Sequence, residues 1–272
     1  MQIFYDLQDL RYLDWSRIRH SSGTAGSLLK AQEKVDGKNI YYKLSQFDSG
    51  RGKFGFESVN EIIVDRLLDA MGINHLQYQL VHGLISIEDK EYETYVCRSS
   101  DYKKPGEKKS SLEAYYQTYA KPGESVLDFC IGMGWADYIY EMLVVDYLIL
   151  NRDRHGANIE VLKSTDGTVR LAPIFDNGLS LLYDCKNPRA LTKQNLLEDK
   201  KVMDFIGSGY TFENLILIPK DKLIKLPSNR KRILNDLFEG IADSIYPKDY
   251  QEKTIEMISE RWKLYEVFRN KK

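Results

Sequence analysis

The sequence has few cysteines, and they are not arranged for a disulfide framework or a metal site. Cys97, Cys130 and Cys185 are the three in the chain; they lie far apart and form no C-x-x-C pair. Closely spaced, paired cysteines are the usual signature of disulfide scaffolds and structural zinc sites. The pattern argues against both and is typical of a protein in a reducing compartment.

The sequence also lacks a long uncharged apolar stretch. No segment approaches the roughly 18 residues that indicate a membrane-spanning helix. Residues 1–6 lack the basic start and the long apolar run of a secretory signal. We therefore expect a cytoplasmic protein with no stable membrane insertion.

An excess of charge of one sign is missing as well. The chain has 39 Lys and Arg against 40 Asp and Glu, with a formal net charge of −1. Nucleic-acid-binding proteins usually show a basic excess, so nucleic acid is not an expected partner. Apolar residues make up 43% of the 272 residues, which suits one large soluble domain or two small lobes that share a cleft. Nothing in the sequence indicates an oligomeric state.

Strand signals dominate the first hundred residues. Asp36-Gly37 separates two extended runs, 28–34 and 39–44, and Asp-Gly between such runs is a strong hairpin signal. Residues 77–81 and 92–97 are further strand candidates. The sequence predicts a small β-rich lobe over residues 1–100.

One helix interrupts these strands. Apolar residues recur at helical spacing between Val59 and Met71, and Gly72 is a typical C-terminal stop. A polar linker is predicted for residues 99–111, and mostly helical patterns follow it.

The second part of the chain, residues 101–272, is predicted to be a larger helical lobe. Residues 135–150 form an apolar-rich helix candidate, residues 180–199 show no clean period, and residues 255–265 place apolar side chains on one helical face. The predicted fold class is therefore α+β with two lobes, and a cleft between such lobes is a natural ligand site.

Three side chains with oxygen atoms are the strongest chemical signal. Asp153 and Asn158 lie close together after the apolar helix, and Asp176 follows an apolar segment that can form a hairpin turning at Asp166-Gly167. Carboxylate and amide oxygens suit Mg²⁺, and a further carboxylate can orient an attacking hydroxyl. Asp176-Asn177-Gly178 alone would be interpreted as a turn, but the two segments together favour phosphoryl transfer.

Weaker signals lie upstream. The small residues Gly23, Thr24, Ala25, Gly26 and Ser27 would let backbone N–H groups approach phosphate oxygens, although such a loop is usually only a connection. Lys43 lies in a mostly apolar strand, where the position alone favours an outward-facing lysine. If it faces the cleft instead, it could hold phosphates, and a helical glutamate could pair with it. Position alone does not choose between Glu57 and Glu61. His155 is by itself more typical of a capping or packing residue.

The segment from Asn151 to Asn158, together with Asp176-Asn177-Gly178, resembles the loops of HipA-like serine/threonine kinases. The resemblance covers nearly the whole chain, and it implies an ATP- and Mg²⁺-dependent protein kinase with a kinase-like bilobal fold. By this resemblance, Asp153 would be the catalytic base, and Asn158 and Asp176 would be Mg²⁺ ligands. Lys43 would bind phosphates, with Glu61 as its helical partner. His155 would lie near the transferred phosphate, and Gly23 to Ser27 would form the loop that covers the phosphates.

The most similar family member is compact, bacterial and pro-inflammatory, which implies export into host cells. Some members autophosphorylate the phosphate loop, and the candidates here are Ser21, Ser22, Thr24 and Ser27. That loop begins near residue 21, so the N-terminal subdomain of full-length HipA toxins is not expected, nor are DNA and a HipB-like antitoxin as partners. Residues 179–200 are expected to shape the acceptor site.

Two alternatives remain open at this level. The same loops resemble those of phosphoinositide kinases, which would need a basic or amphipathic membrane face; the lysines of residues 103–109 are more typical of a solvated linker. A pseudokinase that only binds partners would be expected to lack the lysine, the base or the metal ligands, and all of these residue types are present.

Overall fold

A computed structural model describes residues 2–18, 25–48 and 52–272. Two residues of the predicted phosphate loop, Gly23 and Thr24, and the candidate sites Ser21 and Ser22 lie outside the described residues. Ala25, Gly26 and Ser27 form the beginning of a strand. The fold class is α+β, as predicted, with strands concentrated in the first part of the chain and helices in the second.

The strands are β1 (Ile3–Asp9), β2 (Ser16–Ile18), β3 (Ala25–Val35), β4 (Lys38–Lys43), β5 (Phe47–Asp48), β6 (Gly52–Lys53), β7 (Gln79–Ile87), β8 (Lys90–Ser100), β9 (Lys108–Ser111), β10 (Asp153–Arg154), β11 (Glu160–Lys163), β12 (Val169–Leu171) and β13 (Met203–Asp204). The α-helices are α1 (Glu57–Met71), α2 (Leu112–Tyr119), α3 (Val126–Gly132), α4 (Ala136–Ile149), α5 (Pro188–Thr192), α6 (Thr211–Ile216), α7 (Arg230–Asp236) and α8 (Lys248–Lys271). Short 3-10 helices span Gly156–Asn158 and Lys220–Lys222.

A six-stranded sheet in the order β1-β7-β8-β4-β3-β2 forms the first part of the molecule. The β1–β7 pair is parallel and the other pairs are antiparallel. The predicted β3–β4 hairpin is confirmed: Asp36 and Gly37 have φ values of 49° and 79°, as a type I′ turn requires at both central positions. This turn sets the β3–β4 register and places Lys43 at the end of β4.

The predicted helix is α1, and it packs against the sheet. Its C-terminus is capped by Gly72 in the left-handed conformation, with φ 71°. Side chains such as Ile62 and Leu67 are fully buried in a hydrophobic cluster that also includes Leu148 and Trp262 from the second part of the chain. The helix that carries Glu61 therefore belongs to a core that both parts of the molecule build.

The second part of the molecule surrounds α4 and α8. The three-stranded sheet β12-β11-β9 contacts α2, and β11 and β12 form the hairpin predicted to turn at Asp166-Gly167. Gly167 has φ 88°, which a glycine adopts without strain. The hairpin brings the chain back from the end of the 156–158 helix to Asp176.

Some predicted boundaries are corrected. The linker is shorter than residues 99–111, because β8 extends to Ser100 and residues 108–111 form β9. Residues 180–199 contain α5. Asn187 caps the N-terminus of this helix, because its side chain accepts a hydrogen bond from the Ala190 N–H. The strand expected over 169–175 ends at Leu171, shortly before Pro173, which has no N–H to donate. The division into residues 1–100 and 101–272 stays a prediction.

Within the described parts of the chain, no helix combines the length and the apolar character needed to cross a bilayer.

The buried face of α1 yields a prediction for stability. Leu67→Ala removes a fully buried side chain and should lower the free energy of unfolding by about 2–5 kcal/mol, through lost burial and a residual cavity. Leu264→Ala, at a position on α8 that is 40% exposed, is the control and should cost roughly 0.5 kcal/mol. Urea unfolding followed by circular dichroism measures both, and equal losses would contradict the packing described for α1.

Candidate functional site

Lys43 lies between two carboxylates that come from different elements. Its Nζ is 2.9 Å from Glu61 Oε1 and 2.8 Å from Asp176 Oδ1. Lys43, Glu61 and Asp176, all predicted from the sequence, thus meet at the C-terminal end of β4. We call these three residues the Lys43 cluster. Glu57, the alternative partner of Lys43, instead accepts a hydrogen bond from the Gln46 N–H.

The neighbouring carboxylates keep the Lys43 ammonium group ionised. Burial lowers the pKa of Lys43, but the negative charges of Asp176 and Glu61 outweigh it and hold that pKa well above its ordinary value. Burial raises the pKa of Glu61, and Lys43 opposes this rise. The lysine is therefore a fixed positive charge in a site with little access to water.

Asp176 is held from the side of α1. Its φ of 60° is left-handed, which aspartate tolerates better than most residues. The next N–H, that of Asn177, donates to Glu61 Oε2 over 2.9 Å. Glu61 therefore uses one oxygen for Lys43 and the other for the backbone beside Asp176.

Gly178 allows this turn to lie close against α1. A Cβ at this position would approach the Glu57 backbone oxygen to 3.2 Å, tighter than ordinary contact. Asn60 Nδ2 donates to the Gly178 carbonyl over 3.0 Å and to the Ser180 carbonyl over 3.1 Å. The turn at Gly178 and Leu179 thus directly follows Asp176, which itself contacts Lys43.

The 151–158 loop follows directly after α4. Its conformation is set by two hydrogen bonds: the Asp153 N–H donates to Asn151 Oδ1 over 3.2 Å, and Asn158 Nδ2 donates to the Asp153 carbonyl over 2.8 Å. The second bond turns the amide nitrogen of Asn158 toward the loop and its oxygen the opposite way.

His155 has the capping role that is typical of a lone histidine. Its Nδ1 accepts from the Ala157 N–H over 3.1 Å, at the start of the 3-10 helix Gly156–Asn158. This assigns the hydrogen of the neutral ring to Nε2, which lies 3.7 Å from Asp153 Oδ1. The ring therefore also borders the predicted base.

A buried arginine that the sequence did not single out connects the two loops. Arg154 pairs with Asp146 of α4 through Nε to Oδ2 at 2.9 Å and through an Nη to Oδ1 at 2.8 Å. Its remaining donors reach the Phe175 carbonyl and Asn177 Oδ1, each at 2.7 Å. Asp146 also accepts from Asn151 Nδ2 at 2.9 Å. One guanidinium thus fixes the 151–158 loop relative to the residues on both sides of Asp176.

The segment between residues 179 and 203 is attached to the 151–158 loop at both ends. The Arg152 N–H donates to the Leu179 carbonyl and its Nε to the Lys201 carbonyl, each over 3.0 Å. Within the segment, Asp184 accepts from Lys200 Nζ at 2.6 Å and lies 3.5 Å from an Arg152 Nη. Strand β13 then pairs with β10. Residues 179–200, predicted to shape an acceptor site, are therefore held beside the loop that carries Asp153, and Met203 pairs with Asp153 itself.

A cavity of about 110 Å³ opens beside the Lys43 cluster. It is lined by residues of strands β3 and β4, of the linker and of the second part of the chain. Among the lining residues are Ala31, Tyr41, Tyr78, Tyr102 and Phe175. An aromatic lining suits a flat ring, and Lys43 and Asp176 add charged groups to the same lining.

Comparison with solved structures places this arrangement in a known fold. The chain superimposes on the proinflammatory kinase CtkA of Helicobacter pylori with a TM-score of 0.63 and 14% identity, over 94% of each chain. It superimposes on HipA of Shewanella oneidensis MR-1, solved with HipB and operator DNA, with a TM-score of 0.54 and 15% identity, over 91% of this chain and 66% of that one.

Comparisons with protein-family models and with curated sequences find no match. Identities this low describe the fold alone. At that level the predicted resemblance to HipA-like kinases and the kinase-like α+β fold are confirmed.

Sequence reasoning missed the residues that hold the site in place. Asp146 is the charged residue in the apolar second half of α4, residues 142–149, and such a residue signals a buried partner. That signal could have identified Arg154 as the partner. Asn60 left no comparable signal, because a polar residue on an amphipathic helix is ordinarily assigned to the solvent side.

The Arg154–Asp146 pair yields a second prediction for stability. Arg154→Ala leaves the Asp146 carboxylate buried without its ion pair and should cost about 3–5 kcal/mol. The double variant Arg154→Met with Asp146→Asn removes both charges and should recover a large part of that loss. Chemical unfolding of wild type and both variants measures this, and a double variant as unstable as the single one would contradict the electrostatic explanation.

Proposed function

We propose that this protein is a kinase that transfers the γ-phosphoryl group of ATP to a protein serine or threonine. The observation that carries the proposal is the Lys43 cluster beside the cavity, joined through Arg154 to the loop that bears Asp153. Phosphoryl transfer requires a fixed cation, oxygen ligands for a metal and a carboxylate near the acceptor, in a site that limits water. Lys43, Asp176 with Asn158, and Asp153 are of the residue types that these roles need.

The nucleotide would enter the cavity with its base against the aromatic lining. Lys43 would contact the α- and β-phosphates, with Glu61 holding its ammonium group in place. The loop of Gly23 to Ser27 remains, as the sequence suggested, the expected cover over the phosphates.

Asp176 and Asn158 would hold Mg²⁺. A carboxylate and an amide oxygen are hard ligands of the kind that Mg²⁺ takes, and Asn158 keeps its amide nitrogen occupied by the loop. Bound Mg²⁺ would neutralise phosphate charge in the transition state.

Asp153 would orient the acceptor hydroxyl. In the transfer, the acceptor oxygen forms a bond to the γ-phosphorus, the bond from that phosphorus to the β,γ-bridging oxygen breaks, and ADP leaves. The hydroxyl proton passes to the Asp153 carboxylate. Nε2–H of His155, beside that carboxylate, would donate to the transferred phosphoryl group. Most of the acceleration would come from positioning and charge neutralisation.

We also propose that the acceptor is a protein. The 179–203 segment, held at both ends beside Asp153, would form the surface that contacts a peptide acceptor. Autophosphorylation at Ser21, Ser22, Thr24 or Ser27 belongs to the same proposal. Nucleic acid is not part of it, since the charges of the chain nearly cancel.

Asp153→Asn should reduce phosphoryl transfer by on the order of 10²–10⁴-fold with little change in ATP binding, because only the orientation of the acceptor is lost. Asp176→Asn should remove the Mg²⁺ dependence of nucleotide binding along with turnover. Transfer is followed with γ-radiolabelled ATP and nucleotide binding by calorimetry with and without Mg²⁺.

The matched control is Asp166→Asn. It makes the same change of charge in the β11–β12 turn, where the side chain accepts from the Thr168 N–H, and it should leave both readouts at wild-type values. Equal phosphate incorporation by Asp153→Asn, Asp176→Asn and wild type would show that these residues do not form the site.

The acceptor class is tested with generic protein acceptors and phosphoinositide vesicles in parallel reactions. Label is expected in protein, in the added acceptor or in the chain itself. Label in lipid alone would replace the protein acceptor with a lipid one while keeping the phosphotransfer. No label in either, with intact Mg·ATP binding, would point to a pseudokinase.

A further inference from the structure

A second group of potential metal ligands lies at the opposite end of α1 from Glu57. Asp65 and Asp69 are four positions apart on one face of the helix, and His75 follows the helix after its Gly72 cap. Asp65 Oδ1, Asp69 Oδ1 and His75 Nε2 all lie within 4.8 Å of one another. The proposed catalytic residues are not among them.

The hydrogen bonds of the ring present Nε2 of His75 as a ligand. Nδ1 is 2.7 Å from the Ile73 carbonyl, so Nδ1 carries a hydrogen and donates it there. In the neutral ring the lone pair is then on Nε2, which faces the two carboxylates. A histidine that donates its other ring N–H to a backbone carbonyl is the usual arrangement of a metal-bound imidazole. The His75 side chain is only 3% exposed, so its orientation is fixed by packing.

The pocket between these atoms favours positive charge. Gln77 Nε2 lies 3.0 Å from His75 Nε2 and 3.1 Å from Asp69 Oδ1, so a partly positive amide NH₂ bridges the two acceptors. Two carboxylate oxygens and a ring nitrogen thus lie close enough together for one cation to meet all three.

The distances suit a tetrahedral ion. His75 Nε2 lies 3.4 Å from Asp65 Oδ1 and 3.8 Å from Asp69 Oδ1. Neighbouring ligands of a tetrahedral zinc ion with bonds near 2.0–2.2 Å are about 3.3–3.6 Å apart. One of the two distances falls within this range, and a small movement of Asp69, whose side chain is 58% exposed, would bring the other into it. Imidazole together with carboxylates favours Zn²⁺ over Mg²⁺, which prefers oxygen alone.

We propose that Asp65, Asp69 and His75 form a Zn²⁺ site separate from the proposed nucleotide site. Zn²⁺ would displace the Gln77 amide, with water or Gln77 Oε1 as the fourth ligand. Asp65 already accepts from the Tyr78 N–H over 2.8 Å, an outer contact that orients the carboxylate. The ion enters from the side of Asp69, the exposed member of the set.

Bound Zn²⁺ would act on a segment that leads to Asp176. Residue His75 forms a parallel bridge with Ile174, in which the Leu76 N–H donates to the Ile174 carbonyl over 2.9 Å and the Ile174 N–H to the Asn74 carbonyl over 3.2 Å. Zn²⁺ therefore fixes the end of α1 to the backbone that precedes Asp176. The consequence is a rise in thermal stability on binding.

The test uses the full chain, freed of metal by chelation and then dialysed. Calorimetric titration with ZnCl₂ in excess Mg²⁺ is expected to show one site, and thermal unfolding is expected to shift upward with Zn²⁺. Co²⁺ in place of Zn²⁺ should give the intense visible absorption of a tetrahedral complex. His75→Gln and Asp69→Asn should each weaken Zn²⁺ binding by at least about tenfold, as losses around metal ligands do.

The matched control is His82→Gln. His82 Nδ1 also faces a backbone carbonyl, that of Tyr5, at 2.8 Å, and its Nε2 lies 2.9 Å from one carboxylate, Glu93. It shares the arrangement of His75 without a second carboxylate in the set, so its replacement should leave Zn²⁺ binding unchanged.

Asp176→Asn separates this proposal from the function proposed above, because it should impair the Mg²⁺ site and leave Zn²⁺ binding intact. Absence of Zn²⁺ binding, or equal binding by wild type, His75→Gln and Asp69→Asn, would overturn the proposal. Asp69 is mostly exposed, so its variant remains informative if His75→Gln does not fold.

Discussion

The buried ion pair of Arg154 and Asp146 is the contact on which the geometry of the site depends. A guanidinium without access to water is tolerated only if it is paired and its donors are satisfied. Asp146 takes two of those donors, and the remaining ones reach the backbone and side chain on either side of Asp176. The guanidinium is planar and rigid, so it fixes a distance that a flexible lysine would leave variable.

Asp176 is thereby held from two directions. Arg154 contacts its neighbours from the side of α4, and α1 contacts them from the other side through Glu61 and Asn60. Lys43 then meets Asp176 and Glu61 together. Lys43, Glu61 and Asp176 therefore meet because α1 and α4 are both connected to the residues beside Asp176. Glu61 and Asn60 make these contacts from α1, and Arg154, paired with α4, makes them from the other side.

Much of this arrangement could be predicted from the sequence, for reasons that differ between elements. The β3–β4 hairpin and α1 follow from local signals, Asp36-Gly37 and an apolar period that ends at Gly72, and such signals need no knowledge of distant residues. The meeting of Lys43, Glu61 and Asp176 was expected only through a family resemblance, since no local pattern relates residues so far apart. The contacts of Arg154 and Asn60 were not expected, because they depend on which backbone carbonyls lie beside them after folding. The short helix α5 was missed since its five residues are too few to show a period.

The hydrophobic cluster that includes α1 has a consequence for how the chain folds. Ile62 and Leu67 share one core with Leu148 and Trp262, so the apolar face of α1 is covered completely only when the second part of the chain is in place. A polypeptide ending near residue 100 would leave that face in water at a large loss of hydrophobic free energy. The two parts of the molecule are therefore expected to form one cooperative folding unit, with local opening at the cleft and without independent unfolding of either side.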